Sequence, residues 1–85
     1  MVNLRALIEE IDAKLLDLLK QRTDLSRQIG LLKKAEGLPI HDPLREKEHL
    51  EALTLLAKQK ELDPLKVAEL FTLLMQQSKD EQQKI

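Results

Sequence analysis

The sequence lacks cysteine, tryptophan and tyrosine, and its 85 residues include one phenylalanine, Phe71, and two histidines. Without cysteine, neither a disulfide nor a thiolate metal site can stabilise the fold. The two histidines, His41 and His49, are too few and too far apart in sequence to suggest a metal site. With almost no aromatic side chains, the core has to be built from leucine and isoleucine, which favours helices packed on helices over a sheet.

A charge excess of either sign is also missing, since 14 basic residues nearly balance 15 acidic ones for a net charge of −1. No basic block stands out, so the sequence does not support a nucleic-acid-binding surface. No apolar run reaches the length of about 18 residues that a membrane span needs. The amino terminus lacks the pattern of a signal peptide. We therefore expect a cytoplasmic, soluble protein that binds neither nucleic acid nor membrane.

The main positive feature is a long first helix, predicted from about Asn3 to Glu36. That stretch has no proline, and Gly30 is its only glycine. Such a helix is about 50 Å long, whereas a compact monomer of this chain length has a radius of gyration of about 12 Å. A second copy of the chain is the simplest cover for its apolar face, so we predict a homodimer. That face repeats with the helical period at Leu4, Ile8, Ile11, Leu15, Leu18, Leu25, Ile29 and Leu32.

Two shorter helices follow, predicted over residues 43–60 and 64–83. In each, an aspartate directly precedes a proline, a typical helix start because the carboxylate caps free amides and proline fits the first turn. A glycine and a proline end the first helix. No alternating strand pattern is present, so we predict an all-α fold in a single domain over residues 1–85. The residues that mark these boundaries are Gly37, Pro39, Asp42, Pro43, Asp63 and Pro64.

Each helix carries an apolar face that changes to polar side chains at one end. Arg22 takes an apolar position of the first helix, and Lys33 lies one turn beyond the last isoleucine of that face. Glu46 precedes the inward face of the second helix, and Ser78 and then Gln82 follow that of the third. If these ends converge, they form a pocket with two cations, a carboxylate, a hydroxyl and an amide. The residues predicted to face inward on the second and third helices are Leu50, Leu53, Leu56, Ala57, Val67, Leu70, Phe71, Leu74 and Met75.

Each of these polar residues also has an ordinary interpretation. A lone arginine or lysine near an apolar face usually extends to solvent. Ser78 and Gln82 are compatible with a fraying last turn. Glu46 fits a first-turn acid favoured by the helix dipole, and Asp42 fits a cap with no further role. The coincidence of several such placements favours a site.

Arg5 adds a geometric constraint. It is separated from Arg22 by about 25 Å along a continuous helix. One helix therefore cannot bring both guanidinium groups to the same small ligand. Either Arg5 is a surface residue, or it serves a site completed by the opposing copy of the chain, which the predicted dimer allows.

A recognisable pattern of residues extends over essentially the whole chain. Its members are Leu4, Arg5, Ile8, Ile11, Asp12, Leu15, Leu16, Leu18, Leu19, Arg22, Gly30, Lys33, Asp42, Arg45, Glu46, Leu70, Phe71, Ser78 and Gln82. This pattern resembles the all-helical class of chorismate mutases, and the stretch from Arg5 to Arg22 is its most specific part. The resemblance implies an intertwined homodimer of three-helix chains with two equivalent sites. Each site would be built mostly from one chain and completed by Arg5 of the other.

The resemblance also implies the reaction. The substrate would be chorismate, a dianion, and the product prephenate, formed by a Claisen rearrangement on the route to phenylalanine and tyrosine. Such a pericyclic step needs no nucleophile, metal or cofactor. Arg5 of the partner and Arg22 would bind the two carboxylates, because a planar guanidinium fits a carboxylate better than an ammonium does. Ser78 would add a hydrogen bond to one of them.

The remaining site residues would act on the ether and hydroxyl oxygens of the substrate. Lys33 and Gln82 would donate to the ether oxygen from its two sides and stabilise the charge that develops there. Glu46 would accept from the ring hydroxyl, aided by the backbone near Asp42. Arg45 would flank that hydroxyl or hold Glu46 in place.

Three other functions compete with this one. An isochorismate-pyruvate lyase would use a similar cationic pocket on the same scaffold, although the Arg45–Glu46 pair and Gln82 favour the mutase. A non-catalytic helical dimerisation module would explain the long apolar face, with Arg22 as a polar residue that sets the register. It would not explain the polar ends of the second and third helices. A helix-turn-helix DNA-binding protein is the weakest candidate, because those two helices are too acidic for a recognition face.

Overall fold

The computed structural model describes residues 2–85 and contains three α-helices. They are α1 (Leu4–Glu36), α2 (Pro43–Gln59) and α3 (Pro64–Gln83). None of the described residues lies in a strand. The all-α fold with one very long first helix, predicted from the sequence, is confirmed.

Both ends of α1 are capped by the residues that begin and stop it. The Asn3 side-chain oxygen accepts a hydrogen bond from the Ala6 amide at 3.1 Å. At the other end Gly37 has a left-handed φ of 70°, which a residue with a Cβ adopts only at a cost. This conformation lets the amides beyond the helix end bond back to its last turn, where Lys33 and Lys34 supply the carbonyl oxygens.

The two aspartate–proline pairs start α2 and α3, as the sequence predicts. The Asp42 carboxylate accepts from the Arg45 amide at 3.2 Å, and Pro43 is in the first turn. The Asp63 carboxylate accepts from two amides of the first turn of α3, which begins at Pro64. Each carboxylate thus satisfies amides that have no partner inside the helix.

α3 packs against both α1 and α2, whereas α1 and α2 make no contact with each other within residues 2–85. The chain is therefore elongated, with extents of 56 × 24 × 14 Å and a radius of gyration of 15.6 Å. A compact chain of this length would have a value of about 12 Å. The only buried apolar side chains among the described residues are Ala57 and Met75. Such a small core is marginal for a folded chain.

The amino-terminal half of α1 extends beyond the rest of the chain, and every residue from 7 to 21 is exposed. Its apolar face is open, with Ile8, Ile11 and Leu18 each more than half exposed. Leu56 and Leu70, predicted to face inward, are also exposed in the single chain. Within one chain these two side chains are therefore not part of the core, and α1 does not pack on α2 to cover Leu56. No helix within residues 2–85 is both long and apolar enough to cross a membrane.

α1 and α3 approach each other closely at Gly30. A Cβ added there would lie 2.8 Å from the Cα of Gln82 and 3.0 Å from its carbonyl oxygen. Both are backbone atoms, so they cannot rotate away. The absence of a side chain at Gly30 therefore sets how near α1 lies to the last turns of α3.

We expect Gly30→Ala to destabilise the protein by about 1–3 kcal/mol, because the added methyl overpacks this contact. The sign is informative, since the same change in an exposed helix stabilises by about 0.5–1 kcal/mol. The measurement is the free energy of unfolding in denaturant at one fixed protein concentration. The exposed Gln28→Ala serves as control and should change it by less than about 0.5 kcal/mol. A Gly30→Ala variant as stable as the parent would contradict the contact.

Candidate active site

The three helices and the loop that precedes α2 line an open cavity of about 440 Å³, a size typical of small-molecule sites. α1 contributes only cations to its wall. α2 and the loop contribute carboxylates, an arginine and a histidine, and α3 contributes a thioether and a hydroxyl. The lining residues are Arg22, Lys33, Ile40, Asp42, Arg45, Glu46, Glu48, His49, Met75 and Ser78. Six of the residues that the sequence singles out are thus brought together.

Arg22 does not extend to solvent, as a lone arginine near an apolar helix face usually does. Its Nη1 donates to the Leu74 carbonyl at 3.0 Å and to the Ser78 hydroxyl at 2.6 Å. The Ser26 hydroxyl lies 2.8 Å from that of Ser78 and donates to the Arg22 carbonyl. All of these partners are neutral, and no carboxylate of residues 2–85 pairs with Arg22. The guanidinium is thus fixed in place while its charge remains uncompensated.

Lys33 is the second cation that α1 places in the cavity wall. It is half-buried, and its Nζ donates to the Ile40 carbonyl at 2.9 Å. This bond ties the last turn of α1 to the loop before α2. No salt bridge within the described part of the chain involves Lys33. Two cations held by neutral oxygens make this part of the cavity suited to an anion.

The first turn of α2 supplies the acidic side of the cavity. Asp42 caps the helix, so its carboxylate serves the Arg45 amide. Glu46 is half-buried, and its Oε1 lies 3.0 Å from the Lys79 Nζ and 3.7 Å from Nδ1 of His41. Glu46 is therefore compensated by charge, in contrast to Arg22.

Gln82 is buried at 9 % exposure but does not line the cavity. Its side-chain oxygen Oε1 is the buried side-chain atom without a hydrogen-bond partner among residues 2–85. A buried amide oxygen without a partner is costly and rare. α3 remains helical to Gln83, so Gln82 lies within the last turn of the helix.

The last turn of α3 is held by an ion-pair cluster around Glu81. Its Oε2 accepts from Arg27 Nε of α1 at 2.9 Å, and its Oε1 accepts from Lys84 at 3.0 Å. The Glu81 side chain is only 10 % exposed. The hydrogen bond from Lys84, and then that from Arg27, hold the pKa of the Glu81 carboxyl below its usual value of 4.5.

Arg5 is not brought to the cavity within a single chain. It is exposed near the start of α1, about 25 Å along the helix axis from Arg22. The isolated protomer is compatible with both interpretations of Arg5, because the Arg5 side chain is exposed.

Several residues of this region were not predicted from the sequence. Glu48 and His49 line the cavity, although His49 reads as a surface residue in sequence. The sequence does contain an indication for Ser26, because this residue lies one turn after Arg22 on the same helical face. It contains no indication for Lys79, because nothing in the local sequence distinguishes this lysine from the other charged residues of α3. Within residues 2–85 no group of three or more His, Asp or Glu side chains is arranged to hold a metal ion.

The chain is similar to a known family and to several curated proteins. The family model described as "Chorismate mutase type II" matches residues 4–83. The chorismate mutase of Methanocaldococcus jannaschii is 32% identical over 79 residues, which cover 93% of this chain and 80% of that protein. The bifunctional chorismate mutase/prephenate dehydratase of Escherichia coli K12 is 37% identical over 75 residues, or 88% of this chain and 19% of that protein. The bifunctional protein of Aquifex aeolicus is 43% identical over 56 residues, covering 66% of this chain and 16% of its own length.

The lowered pKa of Glu81 predicts how stability depends on pH. Because the pKa is lower in the folded state, the ionised carboxyl stabilises the fold above pH 4.5, and this contribution disappears as the pH falls through the lowered value. We expect Glu81→Gln to melt below the parent at neutral pH, with the difference in Tm narrowing below pH 4.5. Glu69→Gln, at an exposed carboxyl 3.9 Å from Lys66, is the control. A difference that stays constant down to about pH 3 would argue against the ion-pair cluster.

Proposed function

This chain belongs to the type II chorismate mutase family and is an isomerase, and we propose that the cavity described above is where it converts chorismate to prephenate. The observation that carries the site assignment is the pair of uncompensated cations, Arg22 and Lys33, in the wall of one cavity. A dianionic substrate supplies the missing negative charge. The bifunctional relatives are about five to six times longer than the matched region, and the proposal concerns the mutase reaction alone.

The reaction requires two contributions from the protein. A flexible substrate has to be held in the compact conformation in which the new carbon–carbon bond forms. Negative charge that develops on the ether oxygen as its bond breaks has to be stabilised more strongly than in the ground state. Both tasks require fixed donors, and neither requires a nucleophile from the protein.

Arg22 is the proposed anchor for one substrate carboxylate. Its guanidinium presents several donors in a rigid plane, which matches the two oxygens of a carboxylate. The bonds from Nη1 to Leu74 and Ser78 fix the orientation of that plane before substrate binds. Ser78, which lines the same cavity, is the proposed second contact to a carboxylate.

Lys33 and Gln82 are the proposed donors to the ether oxygen. The Lys33 ammonium is held by the Ile40 carbonyl, which leaves two of its three hydrogens for a ligand. Gln82 is a neutral amide and donates without taking up a proton. Its burial next to Gly30 supports a fixed position for that donor.

The first turn of α2 is the proposed contact for the ring hydroxyl. Glu46 is the acceptor, and the backbone near Asp42 assists it. Arg45 flanks the same region of the cavity. The separation of cations on α1 from carboxylates on α2 gives the substrate one orientation, with its carboxylates toward Arg22 and its hydroxyl toward Glu46.

We further propose that the active form is an intertwined homodimer in which Arg5 of the partner subunit completes each site. Residues 7 to 21 are exposed throughout and carry an open apolar face on α1. Ala57 and Met75 alone form too small a core for an 85-residue chain. Covering that face with a second copy supplies the missing burial and brings a guanidinium from another chain near the cavity. The cytoplasmic location expected from the sequence stays a prediction.

The assay for this function mixes pure protein with chorismate and follows the appearance of prephenate. We expect turnover by the parent and a loss of at least about a hundredfold in kcat for Lys33→Ala, because a fixed donor to the developing charge is removed. Lys34→Ala is the matched control, since that lysine is exposed and bonds the Ile85 carbonyl instead. A Lys33→Ala variant that keeps most of its rate would remove Lys33 from the site.

The competing functions are distinguished by supplying chorismate and isochorismate separately and identifying the products. Release of pyruvate from isochorismate without prephenate formation from chorismate would assign the lyase. No turnover of either substrate would favour a non-catalytic dimerisation module.

Complementation tests the dimer and the role of Arg5 together. Arg5→Ala and Arg22→Ala should each be nearly inactive alone, since every site then lacks one guanidinium. The two variants are then unfolded together and refolded as an equal mixture, so that about half of the dimers are heterodimers. Each heterodimer of a twofold-symmetric protein has one intact site of two, so about a quarter of the parental activity should return. No recovery in a mixture shown by mass to contain heterodimers would place both arginines in the same chain's site or exclude Arg5.

A further inference from the structure

Lys79 takes part in a charged cluster that the proposed chemistry does not use. Its Nζ lies 3.0 Å from Glu46 Oε1 and 3.3 Å from His41 Nδ1. The three side chains come from α3, α2 and the loop before α2. The Lys79 side chain is 19 % exposed and that of Glu46 27 %, so the pair is shielded more than an ordinary surface ion pair.

Hydrogen-bonding chemistry identifies which cation compensates Glu46. An ammonium has donors only, so in its contact with His41 the Nδ1 atom is the acceptor. The Nδ1 atom of His41 lies 3.7 Å from Glu46 Oε1, which is beyond hydrogen-bond distance, whereas the Lys79 Nζ lies 3.0 Å from the same oxygen. Lys79 is thus the positive partner of Glu46, and His41 holds Lys79 from the other side.

The contacts leave one oxygen of Glu46 free. Both neighbours approach Oε1, and no hydrogen bond between residues 2–85 involves Oε2. The carboxylate is therefore ion-paired through one oxygen, while the other oxygen can accept from a ligand. Glu46 also lines the cavity that Arg22 and Lys33 share, whereas Lys79 does not.

We propose that Lys79 is a positioning residue for the reaction: it neutralises Glu46 and fixes its carboxylate so that Oε2 faces the substrate's hydroxyl group. This role rests on the proposed function. A dianion entering the cavity would be repelled by a free carboxylate, and the ammonium removes that repulsion without occupying the acceptor atom. The contribution falls on binding and orientation, because Lys79 itself does not line the cavity.

The experiment measures kcat and KM for chorismate with Lys79→Met, with and without Glu46→Gln. We expect Lys79→Met to raise KM by about tenfold or more and to change kcat less. In the Glu46→Gln background the same change should alter KM by no more than about twofold, because the amide has no charge to neutralise and its oxygen still accepts. Lys79→Arg, which restores the charge, should recover most of the lost affinity.

The controls separate this role from simple charge loss or unfolding. Lys66→Met removes a lysine from the exposed start of the same helix and should leave KM unchanged. Lys79→Gln serves as a second variant if the methionine variant fails to fold, as judged by helical content. Equal losses with and without the Glu46 carboxylate, or a KM within twofold of the parent, would overturn the positioning role while turnover by the parent upholds the mutase function. An inactive parent would overturn both.

Discussion

All helix–helix contacts of residues 2–85 involve α3, because α1 and α2 touch α3 and not each other. Arg22 of α1 is oriented by the Leu74 carbonyl and the Ser78 hydroxyl, and Glu46 of α2 is paired with Lys79. The cavity is the space that remains where two separate helices meet the same turns of a third. Its shape therefore depends on how closely α1 and α2 approach α3, and the bare backbone at Gly30 sets the first of these distances.

The charged side chains around α3 differ in whether they have a partner of opposite charge. Glu46 and Glu81 each have a cation within 3.0 Å, whereas Arg22 and Lys33 have only neutral oxygens. A shielded charge without an opposite charge is costly, and the cost falls when a ligand provides the partner. Because Glu46 is paired with a cation of its own chain and Arg22 and Lys33 have no anionic partner, the part of the cavity next to α1 favours a negatively charged ligand. The same imbalance explains why two cations remain on an apolar helix face.

Much of the fold could be predicted from local signals. Asp42 and Asp63 begin helices and Gly37 ends one, since capping depends on neighbours in sequence. Arg22 and Lys33 could be singled out because a charge in an apolar helical face is visible without the fold. The exposure of Leu56 could not be predicted, because a helical pattern shows that a face is apolar and not which chain covers it. The contacts of Lys79 and Arg27 also remained hidden, since each pairs with a residue far away in sequence.

The end of α3 shows how stability and positioning are connected. Helix ends normally fray, yet here the last turn carries Gln82, a proposed donor to the reacting oxygen. Fraying would break the bonds of Glu81 to Arg27 and expose Gln82 where it lies against Gly30. These contacts resist fraying only if α1 is itself held in place, and within one chain residues 7 to 21 of α1 are exposed throughout. In the proposed dimer, the partner subunit would therefore do more than supply Arg5. By covering the apolar face of α1, it would also hold Gln82 of α3 in position.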